Sequence, residues 1–286
     1  MIVARRHFGC LWLPRSLPGH ERRRCRELLR RSPVSTNPVV PAVTYLCHAG
    51  LANRLRSHII AAGYALRHQR ALYAHWPITE HCAARFTDLF EPLPSLAVTS
   101  SSIAFIARGE PLSALPTVPL VVLRTDWQYS EPGELDLHTT GCADVVRRSL
   151  RPRQTILDEV ERFATSVSWP AVGLHIRLGD FKNNGQALPI KRFIDEVKAH
   201  DQRSGATLPL LVASDGTETE LALLFAAFPG RIVRRRGSAN RIDQGALVDA
   251  LVDLLLLSRC QHIIQTPRSS FGQVACFLGN CPGNPA

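Results

Sequence analysis

The chain has 286 residues, 45% hydrophobic and 20% charged, the balance of a globular protein long enough for one large domain or two modest ones. No apolar run reaches about 18 residues, so no transmembrane helix is indicated; the longest candidate, "ALVDALVDLLLLSRC" (246–260), carries Asp249 and Asp253. The net charge of +10 is concentrated in residues 1–32, where nine arginines face two glutamates and only +3 remains for the other 254 residues, so nucleic acid is not an expected partner of the folded body.

Residues 1–42 read as a basic, Pro-rich, disordered extension. The stretch "ERRRCRELLRR" suits a weakly ordered leader or sequence upstream of the true start; a short basic helix making peripheral contact with anionic lipid, or RNA, is the other reading. "FGCLWLP" is too short for a signal-peptide core, and Pro14 interrupts it. "SPVSTNPVVPAV" (32–43) marks a linker.

Residues 43–150 open with a strand, "AVTYLC" (42–47), then a small-residue loop and an amphipathic helix over 54–69. "ALYAHW" (71–76) reads as the next strand of a βαβ unit, and after a Pro-rich middle "VPLVVLRT" (118–125) is a further strand. From 151 to 286 the alternation is regular. Helices are expected over 153–167, 190–202, 218–228, 244–259 and from 269; strands are expected over 171–178, 208–214, 231–235 and 262–266. Strands alternating with helices imply parallel sheets with right-handed crossovers. The expected fold class is therefore α/β, with two Rossmann-like domains facing a cleft.

Eight cysteines show no Cys-x-x-Cys pair and no zinc spacing. A reducing, cytoplasmic setting without a structural metal is expected, and the even count leaves disulfides open.

Four loops after strands carry polar residues. In "VGLHIRLGDF" (172–181) the period of two puts His175 and Arg177 on one face near the strand's carboxyl end, where open α/β sheets bind ligands. A guanidinium suits a phosphate there; an ion pair with Asp180 or another carboxylate is the alternative. In "CHAGLANRLR" (47–56), Gly50, Asn53 and Arg54 precede a helix, with Asn53 as ligand contact or N-cap. Asp215 in "VASDGTETE" (212–220) is a ribose or base partner or a helix-start residue. Ser269 and Ser270 in "QTPRSSFGQ" (265–273) stand at a helix start that makes an anion site or an ordinary cap. Asp249 and Asp253 share one face of an apolar helix, so at least one must meet a donor such as Arg241, a backbone loop or a nucleotide.

Taken together, "GLANRLRS", "VGLHIRLGD", "LLVASDGTETE" and "DALVDLLLLSRCQHIIQTPRSSFGQVA" resemble, in this order and over residues 43–280, the α1,6-, α1,2- and protein O-fucosyltransferase superfamily, and within it bacterial proteins similar to the nodulation fucosyltransferase. The resemblance implies a GT-B-like fold and an inverting, metal-independent glycosyltransferase that moves fucose or a related deoxyhexose from a GDP-sugar to a glycan acceptor. It implies Arg177 at the donor's β-phosphate, His175 near the guanosine and Asp215 at the base or ribose. Asp253 would also bind donor, Ser269 and Ser270 would donate to the diphosphate, and Gly50, Asn53 and Arg54 would lie across the cleft. Asp180 is the nearest motif carboxylate for a general base, or orients Arg177. No cofactor or metal is implied beyond the GDP-sugar substrate.

The chain departs from that family in carrying Phe181 before Lys182, Gly216 for a second aspartate and Ala52 for a glycine. These departures leave a non-catalytic GDP- or glycan-binding homologue as the alternative.

Overall fold

The computed structural model describes residues 2–7, 10–11, 42–46, 49–67, 69–74, 76, 78–91, 102–106, 120–124, 144, 146–147, 150–183, 185–235, 237, 243–279, 281 and 283–285. The chain divides into two compact units, one holding the described residues of 1–49, 53–77 and 90–151, the other those of 50–52, 78–89 and 152–286.

In chain order the elements begin with β1 (Ile2–His7) and β2 (Cys10–Leu11). Both fall in the segment read as a basic, Pro-rich extension: β1 pairs antiparallel with a later strand over Ile2–Arg5, and its β-branched opening Ile2-Val3 favours a strand. The linker (32–41) lies outside the described residues. Next come β3 (Ala42–Leu46), α1 (Leu51–Arg67) and β4 (Ala71–Tyr73), then the short α2 (Phe86–Leu89), which belongs to the second unit. β5 (Ser102–Ile106) and β6 (Leu120–Arg124) complete the first unit's sheet, in the order β2-β1-β5-β6-β3-β4. β3 to β6 run parallel. β5 sits in the stretch read only as Pro-rich, because no helical period follows "SIAFI" to mark it as part of a βαβ unit.

α1 begins at Leu51 and not at residue 54, so Asn53 lies in its first turn and is not its N-cap. It buries Leu55, Ile59 and Ala61 together with Ser57 and His58. The His58 Nδ1 meets the Tyr45 hydroxyl at 3.2 Å, and burial pushes this imidazole down to about 3.

The second unit continues with α3 (Gln154–Ala164), β7 (Val172–Ile176), α4 (Gly179–Asn183), α5 (Ile190–Ser204) and β8 (Leu210–Ser214). α6 (Glu218–Ala227), β9 (Ile232–Arg234), α7 (Gln244–Leu257), β10 (His262–Gln265), α8 (Ser270–Gly279) and β11 (Gly283–Pro285) follow. Its five strands are all parallel in the order β11-β10-β7-β8-β9.

All five residues of β7 are buried. Val172, Leu174 and Ile176 pack with Phe193 and Val197 of α5 and with Leu221 and Leu224 of α6, each such side chain contributing about 1.5–3 kcal/mol on burial. Thr217 caps α6 through a capping box with Glu220, so Asp215 is not that helix's cap. The chain steps outward from β7 to β8 and β9, then returns to place β10 on the other side of β7. Such a reversal of strand order opens a crevice at the carboxyl ends of the two strands that flank it.

Candidate functional site at the carboxyl end of β7

The backbone ladder pairs Ile176 with Ser214 on one side and His175 with Gln265 on the other. One step further, side chains replace it. The Arg177 N–H donates to Thr266 Oγ1 at 2.9 Å, and the Leu178 N–H donates to Asp215 Oδ1 at 2.7 Å. Thr266, 1% exposed, returns its own N–H (2.9 Å) and hydroxyl (3.2 Å) to the His175 carbonyl. Strands that splay leave N–H groups orphaned, and these two are satisfied from both sides.

The Arg177 guanidinium is 18% exposed and ion-paired twice, Nη1 to Asp215 Oδ2 at 2.5 Å and Nη2 to Asp180 Oδ1 at 2.7 Å. The ion-pair reading of this residue therefore holds, with Asp215 added to Asp180. Two contacts leave most of the five N–H donors of the fork for other partners. The guanidinium carbon lies 6.0 Å from the Phe181 ring centroid, a cation–π distance. Asp215 turns one oxygen to the Leu178 backbone and the other to Arg177. Gly179 leaves room for this: a β-carbon there would stand 2.6 Å from Asp215 Oδ2.

His175 is 5% exposed and stacks on Phe271 of α8, ring centroids 4.9 Å apart and planes at 16°. Burial, aided by the Arg177 charge, pushes its pKa down to about 3, so it is neutral at ordinary pH, and its Nδ1 is buried without a hydrogen-bond partner among the described residues. The stack carries α8, with Ser269 and Ser270 at its start, onto the strand that bears Arg177. Ser269 and Ser270 are 6% and 9% exposed, and the Ser269 N–H donates to the Thr266 carbonyl at 3.3 Å. The structure thus brings His175, Arg177, Asp180, Asp215, Ser269 and Ser270 to one end of one sheet. Thr266, Phe181 and Phe271 belong with them and were missed; the hydroxyl that directly follows β10 was the available signal for Thr266.

Asp253 is held elsewhere. Arg235, just past β9, donates from Nε to Asp253 Oδ1 at 2.9 Å and from Nη1 to Asp249 Oδ1 at 2.7 Å. Among the described residues the donor is Arg235; Arg241 lies outside them. Burial raises Asp253 to about 6 although Arg235 pulls it down, so desolvation outweighs the ion pair. The neighbouring Arg234 donates to the carbonyls of Gly216 (2.7 Å) and Ser214 (3.3 Å), tying down the loop that carries Asp215. Arg234 also lines a surface cavity of about 300 Å³ with Glu218, Phe225, Phe228, Gly230 and Ile232; none of the candidate site residues is in that lining.

Of the remaining candidates, Gly50 belongs to the second unit, and Asn53 and Arg54 to the first. The Asn53 carbonyl accepts from Ser57 Oγ at 2.8 Å. Arg54 is 1% exposed, donates from Nε to the Ala49 carbonyl at 2.9 Å and lies 5.6 Å from the Trp76 ring centroid. Among the described residues, no group of three or more His, Cys, Asp or Glu side chains could hold a metal ion.

No family model matches the chain, and no curated protein matches it. Among solved structures it is similar to the NodZ α-1,6-fucosyltransferase soaked with GDP-fucose, at 17% identity and TM-score 0.57, over 83% of this chain and 92% of that one; a further NodZ structure is from Bradyrhizobium. A mutant of Arabidopsis thaliana FUT1 in complex with GDP is 14% identical with TM-score 0.60, over 94% and 75%. POFUT1 in complex with GDP is 12% identical with TM-score 0.54, over 88% and 99%. These likenesses show that this chain shares the fold of those solved fucosyltransferases.

Proposed function

We propose that the chain is an inverting glycosyltransferase of GT-B type, using a GDP-sugar donor, fucose or a related deoxyhexose, and a glycan acceptor, without a metal. The observation that carries this reading is Arg177 at the carboxyl end of β7, beside the N-terminus of α8, where the strand order reverses.

Departure of a nucleoside diphosphate builds negative charge, and fixed donors aimed at that charge lower the barrier most. The free N–H groups of the Arg177 fork, the hydroxyls of Ser269 and Ser270, and the first turn of α8 supply such donors on one side. The resemblance places the Arg177 fork at the β-phosphate. His175, neutral, offers nitrogen atoms for hydrogen bonding and no charge. Asp180 is 48% exposed, and an ion pair so open to water is worth about 1 kcal/mol or less. A phosphate can displace it, and Asp180 is the nearest motif carboxylate to accept the acceptor hydroxyl's proton.

A thermal-shift screen against GDP, UDP, CMP and their sugars tests the donor class. GDP and GDP-fucose should raise the melting temperature most, and Arg177→Lys, which keeps the charge but loses the fork, should lose transfer. Full transfer by that variant would dismiss the assignment.

One feature favours a second reading, a GDP- or glycan-binding homologue without turnover. Gly216 stands where the family often has a second aspartate, and a β-carbon there would lie 2.6 Å from Leu178 Cδ1, so the packing is adapted to glycine. A melting shift with GDP and no turnover of any GDP-sugar across an acceptor panel would select this reading.

A further inference from the structure

We propose that Asp215 and Thr266 are positioning residues that brace Arg177 from the two flanking strands, and that Asp215 does not contact the nucleoside. The proposal rests on the GDP-sugar reading of the site.

Four observations support it. Asp215 spends both oxygens on the end of β7, at 2.7 Å from the Leu178 N–H and 2.5 Å from Arg177 Nη1, and its side chain is only 15% exposed. On the other side Thr266 holds the Arg177 N–H at 2.9 Å through a hydroxyl that also donates to the His175 carbonyl. The loop bearing Asp215 is itself fixed, because Arg234 grips the carbonyls on either side of it, Ser214 and Gly216. Gly179 closes over the carboxylate so tightly that no β-carbon fits.

An arginine side chain loses much rotamer freedom when it binds a ligand. Here the backbone is secured from β10 and the guanidinium from β8 before any ligand arrives, and donors fixed in advance need no reorganisation when charge develops. The brace should therefore govern affinity for the β-phosphate, which GDP has and GMP lacks, and leave the nucleoside contribution alone.

The experiment titrates the full chain with GDP and with GMP by calorimetry, for wild type, Asp215→Asn, Thr266→Val and Thr266→Ser. In Asp215→Asn the amide oxygen still accepts from Leu178, but the amide N–H₂ opposes the Arg177 donors. Asp215→Asn and Thr266→Val should each weaken GDP by about ten-fold or more, and GMP by no more than about two-fold. Thr266→Ser, which keeps the hydroxyl, should recover GDP affinity.

Equal losses on GDP and GMP would make Asp215 a nucleoside ligand and overturn the proposal, as would unchanged GDP affinity in both variants. If Asp215→Asn does not fold, Thr266→Val against Thr266→Ser decides the matter by the same criterion. A wild-type chain that binds no GDP would instead remove the donor reading, an outcome seen before any variant is compared.

Discussion

The imidazole of His175 lies flat against the ring of Phe271, centroids 4.9 Å apart, joining the central strand of the second unit to its last helix. Burial, and then the Arg177 charge, keep the imidazole neutral, and its folded-state pKa of about 3 lies below the ordinary 6.5. Between these values the unfolded chain binds a proton that the folded chain refuses, so stability falls as pH drops from about 7 toward 3. The slope attributable to one such histidine is about 1.4 kcal/mol per pH unit at most. His175→Gln should flatten the pH dependence of urea unfolding between pH 7 and 5; an unchanged slope would show that the ring is not buried neutral. His58, also pushed to about 3 by burial, adds a similar slope in the first unit.

Arg235 holds two carboxylates of α7 at once, and its own side chain is 10% exposed. Replacing it by leucine removes the guanidinium that Asp253 pairs with in a half-buried site, which should cost about 3 kcal/mol at pH 7.5. Asp253 already titrates near 6, and removing the cation raises it further. Protonation then relieves the loss, so the difference between variant and wild type should shrink below pH 6. Chemical denaturation at pH 7.5 and 5.5 checks both magnitude and sign.

Gly179→Ala would drive a β-carbon to 2.6 Å from Asp215 Oδ2. We expect a loss of about 1–3 kcal/mol in stability together with weakened GDP binding, because the displaced carboxylate is a partner of Arg177. A variant that melts lower but binds GDP as wild type does would separate packing here from the phosphate site.

Three cysteines near the end of α8 differ in reactivity. Burial pushes the thiol of Cys260 far up, and that of Cys276 is raised as well, chiefly because it donates a hydrogen bond to Cys281. The same hydrogen bond holds Cys281 below its usual value. Since the thiolate is the reacting species, iodoacetamide at pH 8 should label Cys281 well before the other two. Peptide mapping by mass spectrometry measures the order, and prior labelling of Cys276 would refute it.

Much of the second unit was legible in the sequence because its strands and helices have the right lengths and periods. "VGLHI" alternates, the helix at 190–204 shows an apolar stripe, and polar loops separate the elements. The short α4 was read as loop because five residues cannot display a helical period. In the first unit, β5 and the two N-terminal strands escaped notice for the related reason that they lack flanking helices to frame them. Arg235 was overlooked as the partner of Asp253 because "RIVRRR" offers three consecutive arginines at the end of the strand, and nothing local says which of them turns toward α7.

Local periodicity by itself determined that His175 and Arg177 share a face at the end of a buried strand and that Ser269 and Ser270 open a helix. Only the tertiary structure decided that Asp215, 38 residues away, and Thr266, 89 residues away, meet Arg177 from opposite sides. The reason is strand order. Parallel strands pair across crossovers whose direction leaves no trace in the sequence of either strand, so which loops converge on one sheet end is settled only when β10 docks beside β7.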